Sequence, residues 1–183
     1  MIRRLLAVAL ALALSGAAHA QSLKAPTGPV LVTVTGAVAN TNRGPFDANQ
    51  DIFFKNQQVT FERAAAFDLA MLEALAQRTV EADYPQGGPL HKFQGPLLRD
   101  VLKAAGATGK AVKVLAIDGY NQEIEMREIE QWPIVLALKE DGKYLPLGGF
   151  GPTRIVFPRR EVPALADRND DKWVWAVVQI GVE

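Results

Sequence analysis

"PIVLALKEDGKYLPLGGFGPTRIVFP", residues 133–158, decides how this chain is read. Residues 133–138 form an unbroken apolar run, as a buried strand does. Asp141-Gly142 has the composition of a two-residue hairpin turn, which sends the chain back through Lys143, Tyr144 and Leu145. Three glycines, Gly148, Gly149 and Gly151, then crowd in front of Arg154, and a second apolar run fills 155–157. Strand, hairpin and strand follow one another with no helix between them, which is not the grammar of a βαβ unit. The glycines leave two readings open. They form a tight loop, or they let a flat or anionic ligand approach the backbone while Arg154 supplies charge. A P-loop does not fit, because the run lacks its lysine and hydroxyl residue and leads into a strand.

Outward from this stretch the pattern stays mixed. Residues 30–35 (VLVTVT) alternate as a strand, 36–50 are rich in loop formers, and 59–63 (VTFER) are expected as the next strand. Asp68 is placed as a helix N-cap, with Phe67 before it stapling onto Leu72 and Leu69, Leu72 and Leu75 on one face. Residues 78–82 read as a strand and 83–92 (DYPQGGPLHK) as a loop. Residues 95–105 (GPLLRDVLKAA) give the clearest helix, with Pro96 in its first turn, an apolar stripe through Leu98, Val101 and Leu102, and Gly106 as its stop. A strand at 111–117 turns at Asp118-Gly119 and returns over 122–126, and 127–131 form a helical turn. Residues 172–182 (KWVWAVVQIGV) close the chain as a strand whose alternation puts Trp173 and Trp175 on one face. The fold class is α+β, in a single domain over residues 21–183.

The first twenty residues stand apart. A basic start at Arg3-Arg4 and a ten-residue apolar run lead to Ala18-His19-Ala20, the pattern of a cleaved signal peptide. The apolar run is too short to span a bilayer. Export to the periplasm is the expectation. Lysine plus arginine balance aspartate plus glutamate at 20 each, and no basic block appears, so nucleic acid is not an expected partner. The chain has no cysteine, which excludes a thiol nucleophile and any thiolate-bound metal. Once His19 leaves with the signal, His91 is alone, and the sequence near it offers no companion ligands. No catalytic residue and no metal ligand is assigned.

Candidate binding residues come from the loops. Asp83-Tyr84 opens a glycine-rich loop, where a carboxylate can accept two parallel N–H bonds from a 2-amino-4-oxo ring while the aromatic ring covers its face. An ordinary surface turn explains the same residues. Asp118 and Tyr120 sit at a strand end, and Trp173 is either core or the floor of a pocket.

The order of these pieces resembles the sulfite-oxidase-type molybdopterin-binding domain. The similarity is carried by "FQGPLLRDVLKAAGA", "VKVLAIDGY", the opening stretch with its Gly-Pro-x-Arg segment, and "KWVWAVVQIGV". It implies a sulfite-oxidase-like, barrel-like arrangement of mixed sheets with short helices, and a glycine-rich segment lying close to a pterin. The family's oxidoreductases hold molybdenum through a cysteine about a dozen residues before the helix glycine, and counting back from Gly95 reaches Asp83. Without that cysteine, molybdenum is not expected. Arg3-Arg4 also lacks the surroundings of a twin-arginine signal, so a cofactor inserted in the cytoplasm would not cross with the chain. Cysteine-less exported members of this broad family are similar to pterin-binding proteins of signalling systems. The resemblance thus implies a reduced pterin such as a tetrahydropterin as ligand. Asp83 would hold its 2-amino-4-oxo edge, Tyr84 or Tyr120 would stack, and Arg154 would meet an oxygen. It also implies a partner, the periplasmic domain of an inner-membrane protein of cyclic di-GMP turnover. The alternatives are a molybdopterin-dependent oxidoreductase with an atypical metal site and a scaffold without a small ligand.

The leader reading predicts that the exported protein begins at Gln21. Intact mass spectrometry of the periplasmic fraction checks this, and a soluble species retaining residues 1–20 would contradict it.

Overall fold

The computed structural model describes residues 23–84, 86–167, 169 and 171–183. The expected signal peptide lies outside them. Among the described residues three sheets carry the architecture. The largest has five strands: β1 (Val30–Gly36), β2 (Ala65–Asp68), β5 (Ala111–Ala116), β6 (Asn121–Glu125) and β11 (Val177–Val182), in the order β2-β1-β11-β5-β6. Only its β1–β11 pairing is parallel. The second sheet is an antiparallel meander of β3 (Gln77–Ala82), β4 (His91–Pro96), β8 (Lys139–Glu140) and β9 (Lys143–Tyr144). The third pairs β7 (Val135–Ala137) with β10 (Arg154–Val156). Among the described residues four short α-helices connect them: α1 (Ile52–Asn56), α2 (Leu69–Ala74), α3 (Leu98–Ala104) and α4 (Met126–Gln131). The α+β class is what the sequence indicated. The sheets are open, and among the described residues none closes into a barrel, so the barrel-like expectation is corrected. No helix among the described residues is long and apolar enough to cross a membrane.

One hydrophobic core runs through all three sheets. The stripe of α3 (Leu98, Val101, Leu102) enters it fully buried. Gly106 then takes φ +65° and lets Ala107 N–H bond back to the Leu102 carbonyl, ending the helix as a left-handed glycine does. The start of α3 is a correction. Gly95 and Pro96 close strand β4 instead of opening the helix. β4 crosses β7 so tightly that a Cβ on Gly95 would overlap the Leu136 carbonyl, and this crossing, not helix-start chemistry, is what the glycine serves.

Two further expectations are revised. Residues 59–63 are not a strand. Phe61 turns into a satellite cluster with Phe46 and Phe54, and the strand forms one step later as β2. The last strand starts at Val177 instead of Lys172, because Ala176 takes φ +49° and breaks the extended run after Trp175.

Asp68 caps α2 as expected, accepting from Met71 N–H at 2.8 Å. Its other oxygen accepts from the backbone N–H groups of Thr27 and Gly28 at 2.6 and 2.8 Å. These donors, the Met71 N–H first, hold its carboxyl down from the ordinary 3.8 to about 2. The folded state therefore gains stability from ionised Asp68 above the ordinary value, and loses it as pH falls through about 2.

Asp68→Asn should accordingly lower the midpoint of chemical denaturation at neutral pH, and the gap to wild type should narrow as pH drops from about 4 towards 2. A gap independent of pH would contradict the assignment. Leu98→Ala and Leu102→Ala should each cost about 2–5 kcal/mol by equilibrium unfolding, as truncation in a closed core does.

Candidate ligand-binding site

Arg154 is the first residue of β10, and its backbone pairs with Ala137 on one side and bridges to Trp175 on the other. Its side chain is 5% exposed. The guanidinium carbon sits 4.4 Å from the Phe150 ring centroid and 4.8 Å from that of Tyr84. The rings of Trp173 and Phe93 stand further off, at 5.7 and 5.8 Å. A buried cation is thus met by four aromatic faces, each turning electron density towards it.

The glycine run explains how Phe150 reaches that position. Gly148 takes φ +91°, and Gly149 and Gly151 both donate their N–H to the Pro146 carbonyl at 3.1 Å. A Cβ on Gly151 would overlap the Leu145 carbonyl. The glycines therefore serve a loop folded tightly on its own backbone, the first of the two readings, and the loop presents Phe150 half exposed beside Arg154.

These residues open onto a cavity of about 540 Å3. Tyr84, Phe150, Trp173 and Trp175 supply aromatic walls, and Phe150 meets Trp175 edge-on at 6.2 Å between centroids. Arg154 lines the cavity between them, and Asp118, Tyr120, Asp171 and Gln86 add polar groups. Asp118 accepts from the Tyr120 N–H at 2.9 Å, which fixes the β5–β6 turn. The Tyr120 hydroxyl donates to the Asp171 carbonyl at 2.9 Å and accepts from the Gln122 amide at 3.0 Å. The Tyr84 hydroxyl donates to Glu140 Oε1 at 2.5 Å. Burial, followed by that bond and the charge of Glu140, pushes the Tyr84 phenol up to about 12. The volume lies within the range that holds small organic ligands, about 300–1,000 Å3. A second hollow beside Trp173, lined by Phe157 and Leu165, measures about 60 Å3 and is too small for a bicyclic ring.

Of the residues singled out in the sequence, Tyr84, Asp118, Tyr120, Arg154 and Trp173 come together here. Asp83 does not line the cavity. Its carboxylate lies 3.4 Å from Arg159 Nε and 3.9 Å from Arg160 Nη1. Phe150, Gln86 and Asp171 were not foreseen. Phe150 carried a signal, a lone aromatic inside a glycine loop, whereas Asp171 sits in a run that reads as a solvated turn. The pairing of Trp173 with Trp175 was visible as alternation, and both do face the cavity.

No family model matches the chain, and no curated protein matches it. The fold is similar to that in the crystal structure of the sulfane dehydrogenase SoxCD from Paracoccus pantotrophus, with a TM-score of 0.55 and 15% identity. The similarity covers 82% of this chain and 37% of that one, so this chain spans little more than a third of its neighbour's length. At such identity the likeness is one of fold alone, and it agrees with the sulfite-oxidase-like fold that the sequence resemblance implied.

Tyr84→Phe should remove an ionisation near 12 from the alkaline difference spectrum of the folded protein, which contains three tyrosines. An unchanged titration curve would show that the Tyr84 hydroxyl is not buried against Glu140.

Proposed function

We propose that this chain is a periplasmic pterin-binding protein that senses its ligand on behalf of a membrane signalling partner and carries out no chemistry itself. The observation that supports this reading is the aromatic cavity around Arg154 with Asp118 and Asp171 among its lining groups. A reduced pterin is flat, apolar on both faces, and polar along one edge that presents two N–H donors side by side. Tyr84, Phe150 and Trp175 offer faces for its ring. An ionised carboxylate offers two matched acceptors for its 2-amino edge. We assign that contact to Asp118, because Asp83 is engaged with Arg159 and Arg160. Arg154 then faces the 4-oxo group or the pterin side chain.

Molybdenum held as in the family's oxidoreductases does not fit these residues. The chain has no thiolate, and Asp83, nearest in sequence to the expected ligand position, turns to two arginines. The similarity of fold to a sulfane dehydrogenase favours one second reading, a molybdopterin-dependent oxidoreductase with an atypical metal site. Stoichiometric molybdenum in protein purified from its native periplasm would support that second reading.

The proposed partner is the periplasmic domain of an inner-membrane protein of cyclic di-GMP turnover. Of the cavity's lining residues Phe150, Trp175 and Tyr120 are exposed, and aromatic side chains of this kind are ones that protein contacts use.

Calorimetric titration with a tetrahydropterin under anaerobic conditions tests the reading. One site per chain is expected. Asp118→Asn replaces one acceptor oxygen by a donor, and loss of a charged hydrogen bond worth about 1.5–3 kcal/mol should weaken binding about ten- to a hundredfold. Asp83→Asn should weaken it less. Wild-type protein that binds no reduced pterin would refute the proposal.

A further inference from the structure

The sequence leaves His91 without companions, but the fold supplies two. Glu140 ends β8, and Asp141 is the first residue of the turn into β9. Neighbouring side chains on a strand point to opposite faces. Here Asp141 takes φ +49°, and that twist brings both carboxylates to the same imidazole. His91 Nδ1 lies 2.8 Å from Asp141 Oδ2 and 3.2 Å from Glu140 Oε1. Candidate donor atoms on all three side chains fall within 4.8 Å of one another.

We propose that His91, Glu140 and Asp141 form a binding site for a first-row divalent transition ion of the zinc type, at the edge of the aromatic cavity. The donor set is one imidazole and two carboxylates. That suits zinc, manganese or ferrous iron, and lacks the sulfur that cuprous copper prefers. Bonds of about 2.0–2.2 Å in a tetrahedral shell space the donor atoms about 3.4 Å apart. The spacings from His91 Nδ1 to Asp141 Oδ2 and Glu140 Oε1, 2.8 and 3.2 Å, need to open by about 0.6 and 0.2 Å to reach that value. Three protein donors leave the fourth position to water, as in zinc sites that keep an open coordination position.

The surroundings are organised for such an ion. Asp141 is fixed at both ends: Lys92 N–H donates to Asp141 Oδ1 at 2.9 Å, and the Asp141 N–H donates to the Lys92 carbonyl at 2.9 Å. That leaves Oδ2 towards His91. The Tyr84 hydroxyl holds Glu140, an outer hydrogen bond of the kind that orients metal ligands. Among the described residues neither Glu140 nor Asp141 forms an ion pair with lysine or arginine. Tyr84 belongs to both places, since its ring also covers Arg154 and lies 5.1 Å from the His91 ring. An ion at His91 therefore lies one hydrogen bond, through Glu140, from a residue that forms one wall of the cavity.

The test uses the full exported chain without an affinity tag, stripped with chelator and titrated with zinc in the absence of any pterin, so its outcome is independent of the ligand reading. One zinc per chain is expected. His91→Ala and Asp141→Asn should each weaken binding at least about tenfold, as loss of a ligand or its support does. Cobalt substituted for zinc should give a visible d–d band that both variants lose. Should His91→Ala fail to fold, the exposed Asp141→Asn carries the comparison. Absence of saturable binding by the wild type, or equal binding by wild type and Asp141→Asn, would overturn the proposal.

Discussion

A positive charge buried at the start of β10 is the constraint around which the rest is arranged. Taking a guanidinium out of water costs several kcal/mol even after relaxation. Each aromatic face close to it returns about 0.5–2 kcal/mol, so one ring is not enough. Arg154 gathers rings from four segments: Tyr84 from the β3–β4 loop, Phe93 from β4, Phe150 from the glycine loop and Trp173 ahead of β11. Its backbone meanwhile joins β7 to the segment carrying Trp175. One residue thereby joins the two-stranded sheet to β4 and to the loop segments that wall the cavity.

Bringing those segments together requires backbone to lie against backbone. Gly95 lets β4 cross β7 at the Leu136 carbonyl, and Gly151 folds the loop onto the Leu145 carbonyl. Any side chain at either position would separate the rings from Arg154. The entropy lost in ordering these glycines is offset by burial on both sides, for Phe93 and Ile155 are fully buried.

The sequence made the local grammar legible. Asp68 as a cap, Gly106 as a stop and Asp141-Gly142 as a turn all depend on one or two residues and their immediate backbone, so composition reveals them. The α+β class followed from the absence of βαβ alternation. What composition did not reveal depends on partners far along the chain. Gly95 looked like a helix start because nothing local shows that Leu136 crosses it. His91 looked solitary because Glu140 and Asp141 lie about fifty positions away. Asp83 looked available because Arg159 and Arg160, which claim it, follow the glycine loop. Five of the six candidate site residues did converge, since aromatic and charged residues beside glycine turns collect where strands end.

Tryptophan emission during titration with a reduced pterin tests the central claim most directly. Trp173 and Trp175 line the cavity, while Trp132 is packed elsewhere in the core. The account predicts saturable quenching at one pterin per chain, and loss of that response in Arg154→Ala protein whose circular dichroism remains that of the wild type. Wild-type emission that stays unchanged at every concentration of reduced pterin would contradict it.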